Sequence, residues 1–195
     1  ASENMTAPNM AQDASSAAEG SAGEVSGAAA WSEIAPGEIR RLDFRSIGDM
    51  TIVQGESEGL LVEAPDAVKA RLHSRVQNGV LEIWHESNWW DWLDFGLWGG
   101  VSIHYRLNVR SLESIHVAGA SNIKADELRV PRLEIDHVGL GNLTIGVLET
   151  NDLAVRMGGL GNLEIKGGHA GQQEVDQSGA GSYRAGRLAS RVARV

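Results

Sequence analysis

The chain has no cysteine in its 195 residues. That excludes disulfide staples and thiolate chemistry, and it fits a reducing or an oxidising compartment equally well. No stretch approaches the ~18 consecutive apolar residues of a transmembrane helix. Base is scarce too: 17 Lys and Arg stand against 26 Asp and Glu, a formal net charge of −9. With no basic patch to offset that acid, nucleic acid is excluded as a partner. The six histidines (His73, His85, His104, His116, His137, His169) are scattered, and no pair has helix or strand spacing for a shared metal. Gly139-Leu-Gly-Asn-Leu-Thr144 lacks the lysine of a phosphate loop and recurs as a repeat. No complete catalytic constellation is visible, and neither a metal nor a cofactor is expected.

What the chain does have is a repeat. Gly119, Gly139, Gly159 and Gly179 fall twenty residues apart with no insertion between them, and each opens a similar phrase, as in Gly159-Leu-Gly-Asn-Leu163. A fixed period near twenty with no helical pattern inside it points to a stacked β architecture. Read in register, Ile123, Leu143, Leu163 and Tyr183 form one column, and Ala125, Ile145, Ile165 and Ala185 another, two residues on. A second strand supplies Leu133, Leu153, Gln173 and Ala193, then Ile135, Val155, Val175 and Val195. Positions two apart share a face of a strand, so these columns can line one interior. The polar columns between them point outward: Lys124, Thr144, Glu164, Arg184, and Asp136, Arg156, Asp176. Ion pairs Glu164–Arg184 and Asp136–Arg156 are expected across adjacent coils. Gly119, Gly139, Gly159 and Gly179, with the second column Gly141, Gly161 and Gly181, are expected to turn corners at positive φ. Asn122, Asn142 and Asn162 stack in line, and a structural amide ladder is the favoured reading over a ligand site.

Before the array the organisation is looser. Residues 1–30 are Ala, Ser, Gly and acid, without periodicity, and read as a disordered linker. Residues 31–195 form the folded part, with regular repeats over 119–195. Ile47-Gly-Asp-Met-Thr-Ile52 matches Leu140-Gly-Asn-Leu-Thr-Ile145, so the unit occurs once before the array. Leu60–Ala64 reads as its second strand. Asn78-Gly79 marks a hairpin turn between Leu72–Val76 and Val80–Trp84. Val101 to Val109 alternates cleanly. Between these strands lies a tryptophan-rich insertion, 88–98, holding Trp89, Trp90, Trp92 and Trp98. Three readings are open for it: a cap over the end of the stack, which is favoured; a partner or oligomer interface; or a surface that stacks on sugar rings or sits at lipid. The array breaks off mid-unit, with the next corner glycine due at 199. A fragment of a longer protein, or self-association through an open β end, is therefore expected.

Several of these features together resemble one bacterial family. They are Ile47-Gly-Asp-Met-Thr-Ile52, the Asn78-Gly79 hairpin followed by Leu81-Glu-Ile83, the Val101-Ser-Ile103 strand, Leu112-Glu-Ser-Ile-His-Val-Ala-Gly119, and the Gly-x-Gly-Asn repeats. The chain, over residues 38–195, looks like a putative auto-transporter adhesin "head GIN" domain. Ser121 in place of the second glycine and the tryptophan insertion depart from the family pattern. The resemblance implies an all-β fold, a right-handed parallel β-helix of twenty-residue coils preceded by hairpin strands. It also implies an exported protein of the periplasm or cell surface, lipid-anchored through a removed N-terminal segment, and it supplies no catalytic residues. The function expected is a non-enzymatic envelope module that binds or scaffolds, its partner an envelope protein or a glycan. The alternative is a carbohydrate-active β-helix enzyme or polysaccharide-binding protein using the tryptophans or the Asp136/Arg156/Asp176 face. Arg156 between the two carboxylates would hold their pKa values down, against what a general acid needs.

Overall fold

The computed structural model describes residues 32–34, 39–86 and 102–194. The linker 1–30, Trp31, the tryptophan insertion 88–98 and Val195 lie outside these residues. In chain order the elements are β1 (Ser32–Ile34), β2 (Arg41–Arg45), β3 (Ile47–Gln54), β4 (Glu58–Glu63), α1 (Asp66–Lys69), β5 (Leu72–Gln77), β6 (Val80–His85), β7 (His104–Val109) and β8 (Ser114–Val117). Then follow β9 (Ala120–Arg129), β10 (Arg132–His137), β11 (Leu140–Met157), β12 (Asn162–Ile165), β13 (Gly168–Gln177), β14 (Ser182–Arg184) and β15 (Leu188–Arg194). The fold is all-β: one curled, mixed sheet of fifteen strands among the described residues, with a single turn of helix.

Two parallel ladders organise it. One runs β6, β2, β8, β10, β11, β13 and β15, and the other runs β7, β3, β9, β11, β12 and β14. The eighteen-residue β11 belongs to both and joins them. In the array each residue pairs with the one twenty positions on. Ile135 faces Val155, which faces Val175; Leu143 faces Ile123 on one side and Leu163 on the other. This is the register that the glycine spacing dictates. The earlier unit joins it in register: Asp49 pairs with Asn122 and Ile52 with Ala125.

The core is the set of inward columns. Ile123, Leu143 and Leu163 are buried, as are Ala125, Ile145 and Ile165, Leu133 and Leu153, and Ile135, Val155 and Val175. Phe44, Leu42, Ile115 and Leu81 extend the columns into the irregular half. Tyr183 and Ala185 are only partly buried, and Ala193 is exposed. The hairpin forms where the Asn-Gly signal places it, with Asn78 at φ 52° and Gly79 at φ 76°, the pair of positive angles a tight two-residue turn requires.

Two expectations need correction. The irregular half keeps the parallel pattern only in part. β4, expected as the second strand of a coil, instead lies antiparallel between β1 and β7, and together with the expected β5–β6 hairpin this makes the sheet mixed. The corner glycines also serve a different purpose from the one expected. Gly119, Gly139, Gly159 and Gly179 are not at positive φ; among the repeat glycines only Gly141 is, at +104°. What the column lacks is room. A Cβ on Gly159 would stand 2.1 Å from the Gly139 carbonyl oxygen, and one on Gly119 1.7 Å from that of Ser46. The coils close-pack backbone on backbone there, and only a hydrogen fits.

Candidate functional site

The outward columns are polar and largely paired with one another. Asn122 donates from Nδ2 to Asp49 Oδ1 at 2.9 Å, Asn142 to Asn122 Oδ1 at 3.0 Å, and Asn162 to Asn142 Oδ1 at 2.9 Å. Ser182 closes the row by donating from its backbone N and its hydroxyl to Asn162 Oδ1. The amide chain therefore has a direction, running from a hydroxyl donor to a carboxylate acceptor. Asn122, Asn142 and Asn162 are thus brought together as a ladder of side-chain hydrogen bonds.

The Asp136, Arg156 and Asp176 column is in register across three strands. Its pairing differs from expectation. Arg156 donates to Glu134 Oε1 at 2.8 Å, and Asp136 Oδ2 sits 3.2 Å from His116 Nδ1. Diagonal neighbours on adjacent strands are within reach of a long side chain, and Arg156 takes Glu134 while His116 holds Asp136. Glu164 and Arg184 are in register, but no ion pair joins them. Among the described residues no group of three His, Asp or Glu is arranged to hold a metal ion.

His137 is in line with Val117 and Met157, as its column predicts, and is 1% exposed. Neither ring nitrogen has a hydrogen-bond partner. Its ring lies over Gly161, where a Cβ would stand 2.2 Å from His137 Cε1. Burial lowers its pKa below the usual histidine value, which keeps the ring neutral. Burial likewise pushes the Tyr183 and Tyr105 hydroxyls up to about 12; Tyr105 bonds Ser46 Oγ at 3.1 Å, and its ring meets that of Phe44 edge-on with centres 5.2 Å apart.

Among the described residues, a cleft of about 220 Å³ lies on the outer face of β2, β6 and β5, lined by Asp43, Arg45, Arg75, Glu82, Ile83 and Trp84. Strand register builds it. On this face His73, Trp84 and Arg45 form one row across the three strands, and Arg75, Glu82 and Asp43 the next. Arg45 grips Asp43 through both Nε, at 3.0 Å to Oδ1, and Nη2. Arg75 grips Glu82 Oε2 through Nε at 3.1 Å and through Nη2. The Asp43 hydrogen bond, then its charge, raises the Arg45 pKa further. His73 stacks on Trp84 with ring centres 5.6 Å apart, and the Arg75 guanidinium lies 5.7 Å from the Trp84 ring. Local alternation marks Glu82-x-Trp84 and Asp43-x-Arg45 as outward pairs, but nothing local brings the two pairs together, because β2 meets β6 only through a long-range parallel pairing.

Val138, Leu140 and Leu160 are exposed along one edge of the array. The candidate residues Trp89, Trp90, Trp92 and Trp98 lie outside the described residues. No helix among those described is long and apolar enough to cross a membrane.

The family model described as "Putative auto-transporter adhesin, head GIN domain" matches residues 40–195. This chain belongs to that family. A solved structure of a putative adhesin from Bacteroides fragilis NCTC 9343 is similar, with a TM-score of 0.71 at 20% identity, covering 84% of this chain and 73% of that one. A putative adhesin from Parabacteroides merdae ATCC 43184 has a TM-score of 0.56 at 15% identity, over 84% and 75%. A putative lipid binding protein from Parabacteroides distasonis ATCC 8503 has a TM-score of 0.52 at 17% identity, over 87% and 79%. At these identities the likeness speaks to the fold alone. No curated protein matches the chain.

Proposed function

We propose that this head GIN domain is a non-enzymatic binding or scaffolding module of the bacterial cell envelope, exported to the periplasm or the cell surface. Its folded part is residues 31–195, in which hairpin strands lead into a right-handed parallel β-helix whose regular repeats span 119–195, and a linker over 1–30 precedes it. The family supports export and an adhesin-type role. The observation that carries the non-enzymatic reading is the state of the outward columns. Asp136 contacts His116, Arg156 contacts Glu134, and the asparagines contact one another. A general acid needs a carboxyl held neutral by burial or by a neighbouring carboxylate; Asp136 instead sits 3.2 Å from His116 Nδ1, and Asp176 is exposed. Two measurements test the proposal together. Protease shaving of intact cells should remove the protein from the surface, or osmotic shock should release it. The purified chain should leave pectin, alginate and peptidoglycan uncleaved. Turnover that disappears in Asp136→Asn or Asp176→Asn would overturn the reading.

A further inference from the structure

We infer that the cleft on the outer face of β2, β6 and β5 binds one ring of a neutral glycan, with Trp84 as the stacking platform and the Arg45–Asp43 and Arg75–Glu82 pairs as the hydroxyl-recognising groups. The inference deepens the binding-module reading and rests on it.

The chemistry of the lining selects among ligands. Four of the six lining residues are charged, so an apolar occupant would strip water from charged groups and return nothing to them. An anion would need an unmatched cation. Here each guanidinium is already clamped by its own carboxylate, and the two pairs cancel in charge. A cation meets the same obstacle, because both carboxylates are taken. What the cleft offers is donors and acceptors held side by side at fixed positions. Each guanidinium has five N–H donors and uses two on its carboxylate. Each carboxylate keeps further lone pairs. A sugar hydroxyl donates and accepts at once and matches such a set.

Depth and shape agree. The carboxylates sit low, Asp43 14% and Glu82 30% exposed, and the guanidiniums form the rim at 62% and 50%. The indole of Trp84 supplies an apolar surface beside them, the counterpart of a pyranose C–H face. His73 stacked on that indole and the Arg75 guanidinium near it fix its orientation in advance. Such preorganisation lowers the ordering cost of binding. The volume, about 220 Å³, is below the ~300–1,000 Å³ of drug-sized sites, which suits a single ring.

The test is calorimetric titration of the full chain with neutral hexasaccharides: cellohexaose, maltohexaose, laminarihexaose, mannohexaose and xylohexaose. Galacturonate hexamer and inorganic phosphate serve as anionic probes. At least one neutral hexamer should bind. Trp84→Ala should weaken it at least about tenfold, Trp84→Phe should recover part of the loss, and phosphate should not compete. Arg45→Gln, an exposed change that leaves the core untouched, should weaken the same ligand and covers the case in which Trp84→Ala unfolds. Binding of no neutral hexamer, binding of the anionic probes alone, or unchanged affinity in Trp84→Ala and Arg45→Gln would overturn the site. Cleavage of the bound hexamer, abolished by Trp84→Ala, would instead leave the site standing and remove the non-enzymatic reading.

Discussion

Gly159→Ala and Gly158→Ala are adjacent substitutions with opposite expected outcomes. At Gly158 an added methyl would meet Val138 Cγ1 at 3.4 Å and Ser178 Oγ at 3.8 Å, ordinary contact in a site that is open to solvent. At Gly159 the same methyl would stand 2.1 Å from the Gly139 carbonyl oxygen and 2.8 Å from that of Val138. Those atoms are backbone and cannot rotate away, so the coil bearing residue 159 must lift from the one beneath. Two hydrogen bonds span that gap, Gly159 N to His137 O at 3.3 Å and Leu160 N to Gly139 O at 3.3 Å. Overpacking costs about 1–3 kcal/mol, and two weakened backbone bonds add about 1 kcal/mol each. The sum, about 3–5 kcal/mol, corresponds to a fall in Tm of roughly 6–20 °C for a chain of this size. Gly158→Ala should be neutral, or stabilising by up to about 1 kcal/mol through the unfolded state. Thermal unfolding followed by circular dichroism measures both. Equal shifts for the two variants, or no shift for Gly159→Ala, would refute the close-approach account of the corner column.

Other predictions concern the remaining columns. His137 and His85 both have pKa values lowered by burial, so the unfolded chain binds more protons than the folded one between their folded values and about 6.5. Stability from them is complete above that range and is lost as pH falls; urea midpoints should drop from pH 7.5 to 5.5, and His137→Met, which repeats the residue of Met157 in the same column, should drop less. Asn142→Ala removes two ladder bonds on an exposed face and should cost about 1–2 kcal/mol by urea unfolding, while Asn142→Asp, which sets a carboxylate against Asn122 Oδ1, should cost more at pH 7 than at pH 4. Arg156→Ala should lower stability by no more than about 1 kcal/mol, because its bond to Glu134 is exposed.

How far the fold can be read from the chain depends on repetition. Wherever a unit recurs without insertion, one comparison fixes register, burial and facing together: Ile135 over Val155 over Val175, and Asn122 beside Asn142 beside Asn162, follow from spacing alone. The irregular half offers no such comparison. The placement of β4 against β7, and of β2 on β6, depends on long-range pairings that local alternation leaves open. The cleft is invisible in the sequence for that reason, since Asp43 and Glu82 become neighbours only through the β2–β6 register. Column reading also assumes that partners lie straight across, and Arg156 shows the error: its long side chain reaches diagonally to Glu134. The glycine column is legible in the spacing, but its cause is not. A recurring glycine signals either a positive φ or a missing methyl, and only the packed backbone distinguishes Gly141 from Gly159.

The central claim is that coils stack at a twenty-residue register and present their polar columns outward. The absence of native cysteine makes a direct measurement possible. Thr144 and Glu164 are paired on adjacent strands of an outward column. The double variant Thr144→Cys/Glu164→Cys should close an intrachain disulfide under mild oxidation, since in-register parallel neighbours lie about 4.8 Å apart. Thr144→Cys/Arg184→Cys, two coils apart in the same column, should remain reduced. Efficient closure of the second pair, or failure of the first in a folded protein, would contradict the stacking on which the whole account depends.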